Sequence, residues 1–193
     1  MQPSKLRALL EQVRGGAIEV KAAEAQLLES MRSSAFEDLE FARIDHHRAI
    51  RKGFPEVIYG EGKTTEQITE IAIRTIGAGH SLLVTRTDRE TFVALRNRID
   101  GLVFHETARL ISQTIDEQPT GHGSILIVSG GTSDLAVAEE AAITAEVMGN
   151  PVTRLYDVGV AGIHRLLSAR LLLERAHIII VVAGMEGALA SVV

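Results

Sequence analysis

The feature that most constrains this chain is a pair of continuous apolar runs, each followed by a glycine-rich turn. The runs are residues 124–129 (SILIVS) and 177–183 (HIIIVVA), and the turns after them contain GGTSD and AGMEGAL. Continuous apolar strands separated by helices are typical of a parallel sheet that helices cover on both faces. The pattern therefore predicts the α/β fold class, with a parallel-sheet, three-layer domain in the second half of the chain.

The remaining sequence shows alternating helical and extended patterns. Helical spacing of leucines and alanines predicts helices over 3–14 and 20–31, and short extended runs follow at 36–42 and 56–59. From Thr64 onward, the alternation predicts further parallel α/β organisation. The other predicted elements are a helix over 65–77, a strand over 81–85, a helix over 88–98, a strand over 102–105, a helix over 134–148, a strand over 152–158 and a helix over 162–175.

A segment over 114–123, with one proline and two glycines, is the predicted linker between two regions. We expect a smaller N-terminal helical and α/β region over 1–118 and a nucleotide-binding domain over 119–193. The last strand-to-helix unit looks unfinished, because the helix predicted from Glu186 has room for only its first turns. We therefore expect the sequence to be the front part of a longer protein.

Composition narrows the classes of function. The chain has 193 residues, 46% hydrophobic and 23% charged, with a formal net charge of −5 and no cysteine. An acidic balance gives no long-range attraction for nucleic acid or an anionic membrane, so a small-molecule or protein partner is favoured. The apolar stretch over 178–193 is shorter than the ~20 residues that a spanning helix needs. No leader pattern is visible in the sequence, and we predict a cytoplasmic protein.

The first glycine-rich turn predicts a phosphate site. Ser129, Gly130 and Gly131 follow the apolar strand, and Ser133 and Asp134 lead into the next helix. Glycines let a ligand approach the backbone, hydroxyls donate hydrogen bonds, and the helix N-terminus offers free N–H groups. Asp134 is then either an acceptor for a ribose hydroxyl or a helix N-cap, and the sequence leaves both readings open.

Two further turns lie at the ends of predicted parallel strands. Asp157 ends one strand, and His164 and Arg165 open the helix after it; Glu186 stands among the glycines that follow the last strand. Ligands of open α/β sheets bind where the carboxyl ends of strands meet. His164 is a candidate proton carrier and Arg165 a candidate anion contact, although a structural histidine is an equal alternative. Glu186 also has a simple explanation as a first-turn acid that matches the helix dipole.

A polar segment in the N-terminal region crowds charged side chains and two histidines into residues 45–63. Adjacent residues such as His46 and His47 point in different directions, which disfavours a single metal ion held by both. A polar surface, or a loop in which Arg48 and Lys63 contact a phosphate of a nucleotide, is favoured instead, and no metal ligand is assigned.

Three motifs, GGTSD (130–134), GIHR (162–165) and AGMEGAL (183–189), resemble the PurE family of aminoimidazole ribonucleotide carboxylases and mutases. When the segment IDHHRAIRKGFPEVIYGEGKT (44–64) is added, the sequence is most similar to the LarB family. That family consists of carboxylase/hydrolases of nickel-pincer nucleotide cofactor biosynthesis with a PurE-like C-terminal domain. The resemblance spans roughly residue 40 to the end.

The resemblance implies a reaction on nicotinic acid adenine dinucleotide. The pyridinium ring would be carboxylated at C5 with CO2 or bicarbonate as co-substrate, and the phosphoanhydride would be hydrolysed to release AMP and pyridinium-3,5-biscarboxylic acid mononucleotide. No covalently bound cofactor is implied, a need for Mg²⁺ is left open, and a homo-oligomer is expected. The resemblance implies that phosphate is held by Ser129, Ser133 and Arg165, that Asp134 binds the ribose, and that the loop backbone around the ligand is formed by Gly130, Gly131, Gly184 and Gly187. It implies that His164 lies near the reacting ring and that Glu186 assists proton transfer from C5. Asp157, a further catalytic candidate, is expected to face the ligand from the end of its strand.

The sequence departs from the family pattern at one chemical step. An electron-poor pyridinium does not attack CO2 until a nucleophile has added to the ring. The LarB family is understood to use a cysteine thiolate, and this sequence contains none. Two alternatives therefore stay open: a PurE-like carboxylase or mutase, although Leu166, Leu167 and Ser168 replace that family's usual continuation after His-Arg, and a nucleotide-binding module without catalysis.

Overall fold

The computed structural model describes residues 3–32, 36–113, 121–184 and 186–193. Its contacts divide the chain into two compact units. The first consists of Met1–Ile58 and Gly62–Leu82, and the second of Tyr59–Glu61 and Leu83–Val193. The predicted boundary at residues 118 and 119, like most of the predicted linker, lies outside the described residues, so the predicted division into 1–118 and 119–193 stays a prediction.

The first unit is built from two helices, a small hairpin and a longer helix. Helices α1 (Pro3–Arg14) and α2 (Val20–Arg32) agree with the predicted spans within one residue. Strands β1 (Phe36–Asp38) and β2 (Arg43–Asp45) pair antiparallel, and the short α3 (Arg48–Lys52) follows. Helix α4 (Thr65–Gly77) begins at a capping box in which the side chains of Thr64 and Gln67 each accept the other's backbone N–H. The predicted helix over 65–77 is thereby confirmed.

An antiparallel sheet occupies the first part of the second unit. Strand β3 (Ile58–Tyr59), whose Tyr59 belongs to this unit, lies at one edge of the order β3-β4-β6-β5. The other elements are β4 (Leu83–Thr85), α5 (Arg89–Arg96), β5 (Leu102–His105) and β6 (Leu110–Gln113). Strand β6 pairs antiparallel with both β4 and β5. The prediction of parallel organisation from Thr64 is therefore wrong for this sheet.

The physical reason is the length of one connection. Residues 106–109 alone join β5 to β6. A parallel pair needs a crossover of a dozen or more residues, so this short link can only return the chain as a hairpin. Arg109 adopts a left-handed backbone conformation (φ 49°) at the end of the link, and its N–H donates to the Glu106 carbonyl oxygen.

The rest of the second unit is the predicted three-layer domain, which confirms the fold class. Strands β7 (Ile125–Ser129), β8 (Val152–Leu155) and β9 (Ile178–Val182) form a parallel sheet in the order β8-β7-β9. Helix α6 (Leu135–Val147) covers one face, and α7 (Ile163–Ser168) and α8 (Arg170–Arg175) belong to the other.

Each face of this sheet has its own core. On the α6 side, Ile127 packs with Ala138 and Ala142. On the other side, a buried cluster forms the core, with Leu173 and alternate β9 residues packed against it. Its buried members are Leu126, Val128, Val158, Leu166 and Leu189. Because side chains alternate along a strand, one continuous apolar run supplies both cores.

Three local expectations need correction. The helix predicted over 162–175 is interrupted at Ala169, between α7 and α8. The strand predicted over 152–158 ends at Leu155, which releases the next residues into a loop. The α-helix predicted from Glu186 is absent from the described residues 186–193, which instead form a 3₁₀ turn over Ala188–Ser191.

Candidate functional site

A cavity of about 300 Å³ lies where β7, β8 and β9 end. Because the strands are parallel, the loops that follow them leave from the same edge of the sheet. All three loops contribute to the wall. The lining residues are Gly130, Gly131, Ser133, Asp134, Gly159, Val160, Ala161, Ala183, Gly184, Glu186, Ala188 and Leu189.

The first loop is organised around Asp134. Its Oδ2 accepts the N–H of Gly131 at 2.8 Å, which closes the 3₁₀ turn over Thr132–Asp134. The same side chain makes no capping hydrogen bond to α6, so the simple N-cap reading does not describe what the carboxylate contacts. Because Asp134 also lines the cavity, its carboxylate is available to a ligand at the start of helix α6.

The second loop approaches the first very closely. A Cβ on Gly159 would stand 2.6 Å from the carbonyl oxygen of Gly130, a distance that no side chain tolerates. The Val158 N–H donates to the Ser129 carbonyl oxygen at 3.0 Å, which continues the contact between the two segments. Glycine at position 159 is therefore required by the space between the loops.

The third loop brings a second carboxylate to the cavity. Glu186 is exposed and lines the cavity, and the Gly187 N–H donates to the Gly184 carbonyl oxygen at 3.2 Å. A Cβ on Gly184 would lie 3.7 Å from Oδ1 of Asp134, so this loop passes close to the acid of the first loop. Among the described lining residues the titratable side chains are Asp134 and Glu186, and neither Lys, Arg nor His is present.

Six residues assigned from the sequence line this cavity. They are Gly130, Gly131, Ser133, Asp134, Gly184 and Glu186. Their chemical roles stay predictions, since lining a cavity is not contact with a ligand.

Other assigned residues lie beside the cavity without lining it. Ser129 is fully buried, and its Oγ accepts the Asp157 N–H at 3.3 Å. Arg165 donates from Nη1 to Oδ2 of Asp157 at 2.6 Å, while His164 is exposed on α7. Gly187 sits next to the lining residues in the third loop. The Ser129 hydroxyl could still donate its own proton while it accepts the Asp157 N–H, but direct phosphate contact would require this fully buried side chain to become accessible.

The N-terminal candidates belong to the first unit. Arg48 and Lys63 are exposed there, and their assignment to a phosphate stays a prediction. Nearby, Arg51 donates to Asp45, and this hydrogen bond keeps the pKa of the Asp45 carboxyl below its usual value. The segment is thus partly organised by an internal ion pair.

Of the two adjacent histidines, His46 is held by contacts on two sides. Nε2 of His46 lies 3.2 Å from a Glu37 carboxylate oxygen, and its ring stacks on His80. Burial lowers the pKa of His80. In the ranges that the structure describes, no group of three or more His, Asp or Glu side chains is placed to hold a metal ion.

Sequence reasoning missed the lining residues Gly159, Val160 and Ala161. These small residues form a loop that carries no chemical signal of its own, whereas the charged residues just after it do. The useful signal was the glycine itself: two glycine-containing loops at adjacent strand ends can approach one another more closely than side chains allow.

The described part of the chain has no helix with both the length and the apolar character needed to cross a bilayer. This finding agrees with the shortness of the apolar stretch at the end of the sequence.

Comparison with known proteins identifies the family. The model of the LarB/PurE-like N-terminal domain matches residues 36–115. The chain is also 36% identical to the uncharacterized protein MJ0165 of Methanocaldococcus jannaschii over 199 aligned positions, which cover 97% of this chain and 75% of that protein. The chain therefore belongs to the LarB/PurE-like family.

Proposed function

We propose that this protein binds nicotinic acid adenine dinucleotide in the cavity at the ends of β7, β8 and β9, carboxylates C5 of its pyridinium ring and hydrolyses its phosphoanhydride. The observation that carries the proposal is the cavity itself, whose wall combines glycine backbone with two carboxylates. Its volume of about 300 Å³ is at the lower end of the range of small-molecule sites.

The charge of the cavity favours the pyridinium substrate over an aminoimidazole. Asp134 and Glu186 are both acidic, and no basic side chain is among the described lining residues. A carboxylate attracts a nearby cation through charge, whereas a neutral aminoimidazole can offer it only hydrogen bonds from its amino group. The pyridinium nitrogen of the dinucleotide carries a positive charge, whereas the aminoimidazole ring is neutral.

The roles within the cavity follow from residue chemistry. The N-terminal end of α6 and the Ser133 hydroxyl suit a phosphate group, because both offer hydrogen-bond donors. Asp134 suits a ribose hydroxyl, which can donate to its carboxylate. Glu186 is assigned the proton that C5 loses after the new carbon–carbon bond to CO2 has formed; loss of this proton and departure of the added nucleophile restore the aromatic pyridinium ring. In the hydrolysis, water adds to one phosphorus of the phosphoanhydride and the P–O–P linkage breaks, which gives AMP and the mononucleotide.

One step has no side chain assigned to it. The ring must first accept a nucleophile, and the family is understood to use a cysteine that this sequence does not contain. The binding, hydrolysis and carboxylation steps are therefore measured separately. Binding without either product would favour the alternative of a nucleotide-binding module.

The deciding experiment is a product assay. The protein is incubated with nicotinic acid adenine dinucleotide and labelled bicarbonate, with and without Mg²⁺, and the products are separated by chromatography. We expect AMP together with a labelled carboxylated mononucleotide. A parallel incubation with aminoimidazole ribonucleotide tests the alternative, since consumption of that compound and no dinucleotide turnover would assign the PurE reaction instead.

The role of Glu186 is tested by the variant Glu186→Gln. We expect dinucleotide affinity to change little and carboxylation to fall by a factor of about 10²–10⁴, the scale of a lost acid–base group. Glu174→Gln is the matched control, because Glu174 is an exposed acid on α8 that pairs with Arg170 and does not line the cavity. Normal turnover by Glu186→Gln would remove this residue from the chemistry.

A further inference from the structure

A series of side-chain contacts outside the cavity holds the loop 157–162, whose residues form one wall of the cavity. The series begins at Ser129, which is fully buried at the end of β7 and whose Oγ accepts the N–H of Asp157. Asp157 has a left-handed backbone conformation (φ 57°). For a residue other than glycine this conformation costs free energy, so it persists where neighbouring contacts hold it.

The remaining contacts of this series are made by the guanidinium of Arg165. Its Nη1 donates to the Asp157 carboxylate at 2.6 Å. Its guanidinium also fills the space beside Gly162: a Cβ there would stand 2.7 Å from Nε and 3.0 Å from Nη2 of Arg165. Asp157 and Gly162 are the two ends of the loop that carries the lining residues 159–161, so Arg165 contacts both ends.

We propose that Ser129, Asp157 and Arg165 form a brace that holds the loop 157–162 against Gly130 and thereby fixes the width of the cavity. Asp157 and Arg165 are positioning residues, and Arg165 acts on the ligand through the loop and not by touching its phosphate. The part of this inference that concerns affinity rests on the proposed binding of a dinucleotide in the cavity.

The brace matters because the two loops lie so close together. No side chain fits between Gly159 and Gly130, so the loop 157–162 packs directly against the first loop. An exposed ion pair contributes little to global stability, and the side chains of Asp157 and Arg165 are 57% and 40% exposed. We therefore expect loss of the brace to disturb the loop and ligand affinity more than it disturbs the folding equilibrium.

A direct phosphate contact and a brace predict opposite results for Asp157. If Arg165 binds phosphate directly, Asp157→Asn removes its competitor and strengthens dinucleotide binding. If Arg165 is part of the brace, Asp157→Asn and Arg165→Ala break the same contact. Each single variant should then bind the dinucleotide more weakly. The double variant should bind it no more weakly than the single variant with the lower affinity.

The test is calorimetric titration of the 193-residue protein with nicotinic acid adenine dinucleotide. We expect about 3- to 10-fold weaker binding for Arg165→Ala and for Asp157→Asn, with no further loss in the double variant. Arg165→Lys, which keeps a charge for Asp157, should recover part of the affinity, and the thermal midpoint should shift little in every variant. Arg170→Ala is the matched control, since it removes the exposed Arg170–Glu174 pair of α8. Tighter binding by Asp157→Asn, or unchanged binding by both single variants, would overturn the brace.

A ligand-free measurement separates this inference from the proposed function. Amide hydrogen exchange of residues 158–161 should be at least about 10-fold faster in Arg165→Ala and in Asp157→Asn, while exchange in β7 stays unchanged. Faster exchange supports the brace even if the dinucleotide does not bind, an outcome that would count against the proposed function alone. Unchanged exchange in the loop would overturn the brace whatever the ligand does.

Discussion

The two sheets of the second unit differ in where their loops go. In the antiparallel sheet, β6 runs opposite to both β4 and β5, so the chain leaves β6 at the edge opposite to the one at which it leaves β4 and β5. In the parallel sheet, β7, β8 and β9 run together, and the loops after them meet at one cavity. Connection length sets the direction of each strand. The direction of the strands in turn decides which loops of this chain can surround a ligand.

The two sheets also use polar groups differently. The antiparallel sheet has a partly buried hydrogen bond between His105 and Ser112, on β5 and β6, and a buried Thr87 hydroxyl without a hydrogen-bond partner in the loop after β4. In the parallel sheet, β7 is apolar up to Ser129 and β9 is apolar throughout, whereas the edge strand β8 carries Arg154, which pairs with Glu139 and Glu146 of α6. In β7 and β9 the polar groups therefore begin where the strands end.

The largest expected effect comes from weakening the packing of helix α7 on the parallel sheet. Leu166 of α7 is fully buried, and Leu166→Ala should lower the free energy of unfolding by about 2–5 kcal/mol through lost burial and a cavity. The neighbouring Leu167 is 63% exposed, and Leu167→Ala should change it by no more than about 0.5 kcal/mol. Denaturant unfolding measures both. Equal effects would mean that α7 does not pack on the sheet as described.

The next test targets the meeting of the first two loops. Gly159→Ala forces a methyl group onto the Gly130 carbonyl oxygen, and we expect a loss of about 1–3 kcal/mol in stability together with weaker dinucleotide binding. Gly131→Ala is the matched control for stability, since its Cβ would meet only Oδ2 of Asp134 at 3.9 Å. A stable Gly159→Ala protein with normal affinity would show that the loops do not touch.

A pH titration tests the partly buried histidine of the antiparallel sheet, His105. Burial lowers the pKa of His105 below the unfolded value of 6.5. Above about pH 6.5 both states hold the ring neutral and the full stability is present; as the pH falls below this, the unfolded chain takes up the proton first and stability is lost until the folded pKa is passed. When unfolding is measured at a series of pH values, His105→Gln should flatten this part of the stability profile. An unchanged profile for His105→Gln would contradict the lowered pKa.

The smallest expected effect concerns Thr87. Its buried Oγ1 has no hydrogen-bond partner, so Thr87→Val should leave stability unchanged or raise it by up to about 1 kcal/mol. Thr75→Val is the control, because Oγ1 of Thr75 donates to the Ile71 carbonyl oxygen at 2.8 Å and its loss should cost about 1 kcal/mol. Thermal unfolding distinguishes the two, and a destabilised Thr87→Val protein would mean that this hydroxyl has a partner.

The sequence predicted the parallel sheet well because its signal is local. Continuous apolar runs and the glycine turns after them mark both the strands and the edge at which ligands bind. The antiparallel hairpin was missed although its signal was present, since LVFH (102–105) and LISQ (110–113) are separated by only four residues. The short link between these two runs indicates a hairpin, but the alternation of helices and strands in this part of the sequence favoured a parallel interpretation.

The placement of single side chains was harder to predict. Arg165 was expected at the phosphate from its place at the start of a helix and from the family resemblance, but its partner Asp157 lies eight residues earlier, across a turn whose left-handed residue is not glycine. Asp134 lines the cavity, and its hydrogen bond to Gly131 depends on a 3₁₀ turn before α6 that the sequence did not predict. Such contacts depend on backbone angles that residue type alone does not set.

The seam between Gly130 and Gly159 also limits how this site can diversify. An added atom on Gly159 is blocked by the Gly130 backbone, so changes in ligand size have to come from other parts of the wall. At Gly131 and Gly184 an added methyl would find ordinary contact distances of 3.9 and 3.7 Å to Asp134. Relatives with different ligands should therefore keep the glycine at position 159 and differ first at lining positions away from it, such as 131 and 184.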